Sequence, residues 1–280
     1  MQFVYPSPPQ PILLRVQGIP VRIHRWLLAL MIFISLMAGR QPQGYSFEAV
    51  VGTALALLVL FLAVLMHEIG HALVARRMGV EVVDITLWPL GGMAVLRNMP
   101  EDPQIEMRIA LAGPLVNLAI GGTCLLIWVG LQGELRWASL LHTEVRNLGG
   151  FLSFSAVCHL MLGIFNLLPA FPMDGGKMLR SGLAHSRSWL AATETAVRVG
   201  RWIAWILLAL GIAQRELALV LIAVYLLVAG TKELWSTRLR HLSEAAGGFA
   251  GPLAGFDRPG DAEVSDDDSP IPTYGSPSGG

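Results

Sequence analysis

His67, Glu68 and His71 form the pattern His-Glu-Ile-Gly-His. On a helix the two histidines lie one turn apart on one face, so both imidazoles reach a single metal ion. The glutamate beside the first histidine is then placed to hold a water at that metal and to take its proton. The pattern falls in LLVLFLAVLMHEIGHALVARR, Leu57 to Arg77, which reads as the far end of a membrane-crossing helix, since Ala49 to Met66 contains no charged residue. Ionisable groups at membrane depth are costly and are characteristically functional. Three of them within five residues point to chemistry rather than to packing.

A hydrolytic zinc site combines three protein ligands with one open position for water. Asp174 is the candidate third ligand. It ends the segment Asn166-Leu-Leu-Pro-Ala-Phe-Pro-Met-Asp, where Pro169 and Pro172 break a span. Broken backbone at membrane depth is a common way to aim polar groups into a protein interior. Lys177, three residues on, puts Asp174 near a membrane surface, the depth also read for the histidines. The same aspartate, before Gly175-Gly176, suits the N-cap of a following helix, and both roles stay open on spacing alone. Asn166 either hydrogen-bonds substrate backbone or ties helices together. His159, inside another apolar span, reads as an interhelical hydrogen-bonder, with a site role as the alternative. His24, His142, His185 and His241 fall near loops or ends. Cys124 and Cys158 sit in apolar runs as packing residues and offer neither a disulfide framework nor a thiolate zinc site.

The elements that must carry these groups are those of a membrane protein. Of 280 residues, 54% are hydrophobic and only 14% charged, against about 25% charged in soluble domains. The mean hydropathy is +0.57. Twenty basic residues balance twenty acidic ones, so net charge says nothing about nucleic acid and no basic patch argues for it; no nucleic-acid partner is expected, and the lipid bilayer is. The Pro-rich start has no apolar core with a cleavage site, so no removable signal peptide is expected. The expected fold is an all-α polytopic membrane protein with about six transmembrane helices and a small membrane-associated β-hairpin. The spans are read at Trp26–Ala38, Glu48–Met78, Ile105–Leu131, Gly149–Leu168, Val199–Ala213 and Leu217–Ala229. The hairpin is read over Gly79–Pro100, where β-branched residues flank the turn signature Pro89-Leu90-Gly91-Gly92. It either dips beside the metal site or lies on the surface. Three parts follow: an arm over 1–25 with a short edge strand near Val21–His24, a six-span core over 26–235, and a disordered acidic tail over 236–280.

Six spans put both termini on one side, and charge selects the side. With the N-terminus inside, sixteen of the twenty Lys and Arg residues fall on inner segments, leaving Arg40, Arg136, Arg146 and Arg215 outside. Both termini are therefore expected in the cytoplasm. His67, nine residues before Arg76, then lies roughly 13 Å along the helix from the cytoplasmic end.

The same residues carry a family resemblance. His67-Glu68-Ile-Gly-His71, followed about a hundred residues later by Asn166-Leu-Leu-Pro169-Ala-Phe-Pro172-Met-Asp174-Gly175, resembles the site-2 protease family of intramembrane zinc metalloproteases. Trp88-Pro-Leu-Gly-Gly92, Ala112-Gly-Pro-Leu-Val-Asn117 and Gly18-Ile-Pro-Val-Arg-Ile-His24 also fit, so the resemblance covers roughly 18–235. It implies Zn2+ bound by His67, His71 and Asp174, with Glu68 as the catalytic base. It implies that the Gly91-Gly92 hairpin enters the membrane and pairs with an extended substrate strand, with Asn166 as a further substrate contact. The implied substrate is a single-span membrane protein, often a transcription regulator, cut within or beside its span in regulated intramembrane proteolysis. The implied location is a bacterial or archaeal plasma membrane, with the active site towards the cytoplasm. Gln132–Asn147 is too short for the PDZ domain of some members, and no nucleotide-sensing CBS pair is read near the C-terminus, so a minimal form is expected. Two other classes share part of the pattern: a membrane zinc protease of another family, with a different third ligand, and a transporter whose polar residues line a pathway.

Overall fold

The computed structural model describes residues 11–245 except 43, 90, 133–144 and 146. Six strands and seven helices are resolved among them: β1 (Ile12–Val16), β2 (Ile19–Ile23), α1 (Arg25–Ala38), β3 (Arg40–Gln41), β4 (Gly44–Tyr45), α2 (Phe47–Arg77), β5 (Glu81–Trp88), β6 (Gly91–Arg97), α3 (Pro103–Gln132), α4 (Leu148–Asn166), α5 (Asp174–Ala184), α6 (Trp189–Gln214) and α7 (Leu217–Ala245). The chain divides into a unit ending at Leu239 and a second from Arg240 on, whose described part is the end of α7.

Five helices, α2, α3, α4, α6 and α7, are long and apolar enough to cross a membrane. This corrects the expected six spans. Helix α1 has 14 residues, about 21 Å of rise, against an apolar layer about 30 Å thick. Helix α6 begins at Trp189, ten residues before the expected Val199, because Ser188 caps it by accepting from Ala191 N. Helix α7 runs to Ala245, ten residues into the segment expected to be disordered. The remainder of that segment lies outside the described residues, as does most of the polar connection read over 132–147.

The hairpin read over 79–100 is β5 and β6, joined through Trp88↔Gly91, and it is half of a larger sheet. The order is β1-β2-β5-β6. The strand expected at an edge near Val21 is β2, an interior strand that runs antiparallel to β1 and parallel to β5. Strand β1 turns into β2 at Gln17-Gly18, both with positive φ (49° and 88°), the requirement of a tight two-residue hairpin. One sheet face is apolar. Ile19, Val21, Ile85 and Leu87 pack with Leu27 of α1 and with Leu65 and Ala72 of α2 into one buried cluster. The sheet therefore lies against the part of α2 that carries the histidines, and β6 is its outer strand on one side.

Helix α2 is well bounded. Ser46 accepts from Ala49 N at 3.2 Å, Glu48 lies in the first turn and Arg76 and Arg77 in the last. This distribution suits the helix dipole. Gly79 follows the C-cap with φ 80°. At α3, Asp102 accepts from Gln104 N and Ile105 N, and Pro103 occupies the first turn, where its missing N–H costs nothing. Helix α4 ends at Asn166, and an irregular segment with a cis Phe171-Pro172 peptide leads into α5.

Candidate metal centre

Three side chains from two distant parts of the chain converge. His67 and His71 project from one face of α2, and Asp174 from the first turn of α5, all buried. His67 Nε2, His71 Nε2 and Asp174 Oδ2 lie 3.0 Å from one another. Ligand atoms about 2.0–2.1 Å from a tetrahedral metal are separated by roughly 3.3 Å, so the triangle is close to one face of such a site. Asp174 does not cap α5: Met173 holds the N-cap position, with no side-chain cap bond. One carboxylate oxygen of Asp174 faces the histidines, and the other accepts from Lys177 Nζ at 2.9 Å.

The tautomers identify what belongs in the triangle. His71 Nδ1 lies 2.7 Å from the carbonyl oxygen of Ile109. A carbonyl only accepts, so Nδ1 carries a proton, and in a neutral ring Nε2 is then a bare lone pair. That lone pair points at a carboxylate oxygen and at a second imidazole nitrogen. Two or three acceptors facing one another in a buried pocket need a cation between them. Two imidazole nitrogens and one carboxylate oxygen form the donor set of zinc hydrolases, and the residues present fit that ion.

Helix α3 closes the pocket by coming very near. A Cβ built on Gly113 would lie 2.6 Å from His71 Cε1 and 2.9 Å from His67 Cε1. Only a residue without a side chain lets α3 pass here. Glu68 is half-buried beneath β6, where one carboxylate oxygen accepts from Ala94 N at 3.1 Å. Gly92 sits against Glu68 equally tightly, since a Cβ there would come 2.5 Å from Glu68 Cγ. Gly92, near the start of β6, thus lies directly over the glutamate, while a Cβ on Gly91 would meet nothing within 4 Å.

Asn166 is half-buried at the end of α4. Its amide nitrogen donates to Leu162 O of its own helix at 2.9 Å. His159 reaches across to α3, with Nδ1 3.0 Å from Asn117 Oδ1. Two groups near the site were not singled out in the sequence. Asn117, named there only as the end of the Ala112–Asn117 stretch, has its amide Nδ2 3.3 Å from His67 Nδ1. Arg180, also on α5, bonds Glu106 of α3 through two nitrogens and Glu233 of α7 at 2.7 Å. Ser181 Oγ adds a bond to Glu106 at 2.7 Å. The available signal for Asn117 was its i, i+4 spacing from Gly113, on the face that meets α2.

Comparison with known proteins agrees with this arrangement. The model of peptidase family M50 matches residues 55–210. Zinc metalloprotease MJ0392 of Methanocaldococcus jannaschii is 32% identical over 221 residues, covering 79% of this chain and 59% of that protein. Rip3 of Mycobacterium tuberculosis is 36% identical over 211 residues, 71% of this chain and 50% of its own. The chain thus spans between half and three-fifths of the length of these relatives. The solved site-2 protease from Methanocaldococcus jannaschii aligns with a TM-score of 0.56 at 31% identity, covering 80% of this chain and 95% of that one.

Proposed function

The chain belongs to peptidase family M50, the site-2 type of zinc metalloprotease, and we propose that it hydrolyses a peptide bond in or beside the transmembrane segment of a single-span membrane protein. The observation that carries the reading is the buried His67–His71–Asp174 triangle, in which the proton on His71 Nδ1 leaves Nε2 as a lone pair facing a carboxylate. Zinc held by these three residues supplies Lewis acidity towards a carbonyl and brings the pKa of water towards about 7.

The remaining steps belong to the chain. Glu68 takes the proton of the attacking water at a carboxylate oxygen and delivers it to the leaving amide nitrogen. The bond from Ala94 N holds that carboxylate against β6. A helical substrate hides its carbonyls, so it must unwind before it can be cut. The outer edge of β6 offers backbone donors and acceptors to an extended segment, the strand-addition mode of recognition. Gly91 and Gly92, bare of side chains, let that segment approach Glu68. Asn166, at the end of α4, is a further candidate contact for substrate backbone.

The membrane placement follows the charge distribution. Both termini and the site are read as facing the cytoplasm of a bacterial or archaeal plasma membrane, because counting α1 as a crossing puts sixteen of twenty basic residues on that side. A substrate that regulates transcription from the membrane suits this arrangement, since the cut frees its cytoplasmic portion. Co-expression with candidate single-span proteins tests the proposal. Fragments are expected with the wild type and absent with Glu68→Gln, while zinc content stays the same. Equal fragments from both would overturn the mechanism.

A further inference from the structure

We infer that Asn117 and His159 form a relay that sets the tautomer and orientation of His67, making both positioning residues for the metal centre. The inference rests on His67 as a zinc ligand. Asn117 is fully buried on α3, and its amide lies between two imidazoles. As placed, the amide Nδ2 is 3.3 Å from His67 Nδ1, and Oδ1 is 3.0 Å from His159 Nδ1 on α4. The chain therefore runs from the metal triangle through three helices. Gly121 permits it, because a Cβ there would come within 3.0 Å of His159 Cβ and hold α4 away.

The argument turns on protons. His67 Nε2 belongs to the triangle, so as a ligand it must be bare, and the ring's proton must sit on Nδ1. A buried N–H needs an acceptor. His71 has the carbonyl of Ile109 for this purpose. Among the described residues, the partner of His67 Nδ1 is Asn117, through its amide. The two ends of an amide have the same shape, and a half-turn exchanges them. Zinc binding selects the form with Oδ1 towards His67. The amide NH2 then faces His159, whose Nδ1 must accept, so His159 is held as a neutral ring with its proton on Nε2. One imidazole is oriented by backbone and the other by this side-chain pair. Partners of this kind fix the ligand's tautomer and strengthen its lone pair.

The test is the zinc dissociation constant of the purified full chain in detergent, measured by chelator competition, beside its thermal midpoint in EDTA. Asn117→Leu keeps the approximate volume and removes the acceptor, and is expected to weaken zinc about 10–100-fold. Asn117→Asp is expected to bind zinc within about threefold of the wild type or more tightly, since a carboxylate accepts from His67 Nδ1–H without needing any particular rotation. His159→Phe is expected to weaken zinc a few-fold when Asn117 is present and to add nothing to Asn117→Leu. The inference is overturned if Asn117→Leu binds zinc within about twofold of the wild type, or if Asn117→Asp is as weak as Asn117→Leu. Should Asn117→Leu fail to fold, a weakened Asn117→Asp overturns it, and an intact Asn117→Asp with a weakened His159→Phe upholds it. A wild type that binds no zinc would instead overturn the metal reading itself.

Discussion

At the scale of single residues, the centre is shaped as much by a missing side chain as by those present. His67 and His71 are presented by helical spacing, yet their rings are wedged against Gly113, whose place on α3 leaves no space for a methyl group. Adding a methylene to a packed interior costs about 1–3 kcal/mol, and here it would fall on the two ligand rings rather than on the fold at large. Gly113→Ala is therefore expected to weaken zinc binding about 5–150-fold, the same energy expressed as affinity. Its thermal midpoint in EDTA should move much less than its midpoint with zinc. Chelator competition and melting curves with and without EDTA check this, and unchanged zinc affinity would show that the rings move aside. The histidine pair was legible in the sequence because one helix contains both members. Gly113 entered the sequence reading only within the Ala112–Asn117 stretch, since nothing local says which helix it faces.

At the scale of elements, the third ligand depends on how α5 is held. This 11-residue helix does not cross the membrane, and it carries Asp174 at one end and Arg180 in the middle. Arg180 lies between the rings of Phe171 and Trp189, 4.9 and 4.8 Å from their centroids. Its guanidinium ties α5 to Glu106 of α3 and Glu233 of α7. Removing one partner of a buried ion pair costs about 3–5 kcal/mol, because the other charge stays behind unpaired. Arg180→Met keeps much of the packing between the rings and strands Glu106, which is buried. A loss of that size in chemical unfolding is expected, and zinc affinity should fall with it as α5 loosens. Adding Glu106→Gln removes the stranded charge and is expected to recover most of the stability. A single variant as stable as the wild type would mean that the network does not secure α5. These contacts join residues 74 and 53 positions apart, and no periodicity in the sequence reports them. The hairpin of β5 and β6 was legible from its turn. Its pairing with β1 and β2 was not, because β2 and β5 are brought together by the two helices between them.

At the scale of the whole molecule, the short helix α1 decides the topology. Five long helices alone would put the two ends of the core on opposite faces of the membrane, whereas the charge distribution asks for the same face. The position of the sheet bears on this conflict. Helix α1 starts directly after β2, where Leu27 packs with Leu65 and Ala72 of α2, at the level of the histidines. If the sheet lies at the cytoplasmic surface, as proposed above, α1 starts below that surface, and its 14 residues have less than the full apolar layer to cover. Trp26, Ile32, Phe33 and Leu36 on α1 are exposed apolar groups, as a lipid-facing helix requires. The interior strands β2 and β5 have their backbone polar groups paired on both sides, the condition for non-helical structure at membrane depth. The prediction uses single cysteines introduced after Cys124 and Cys158 have been replaced by alanine. Arg40→Cys, between α1 and α2, and Arg215→Cys, between α6 and α7, should react with a membrane-impermeant thiol reagent in intact cells. Arg187→Cys, between α5 and α6, should react only after permeabilisation. If Arg40→Cys is also protected until permeabilisation, α1 does not cross, and the N-terminal arm lies on the face opposite to the one argued here.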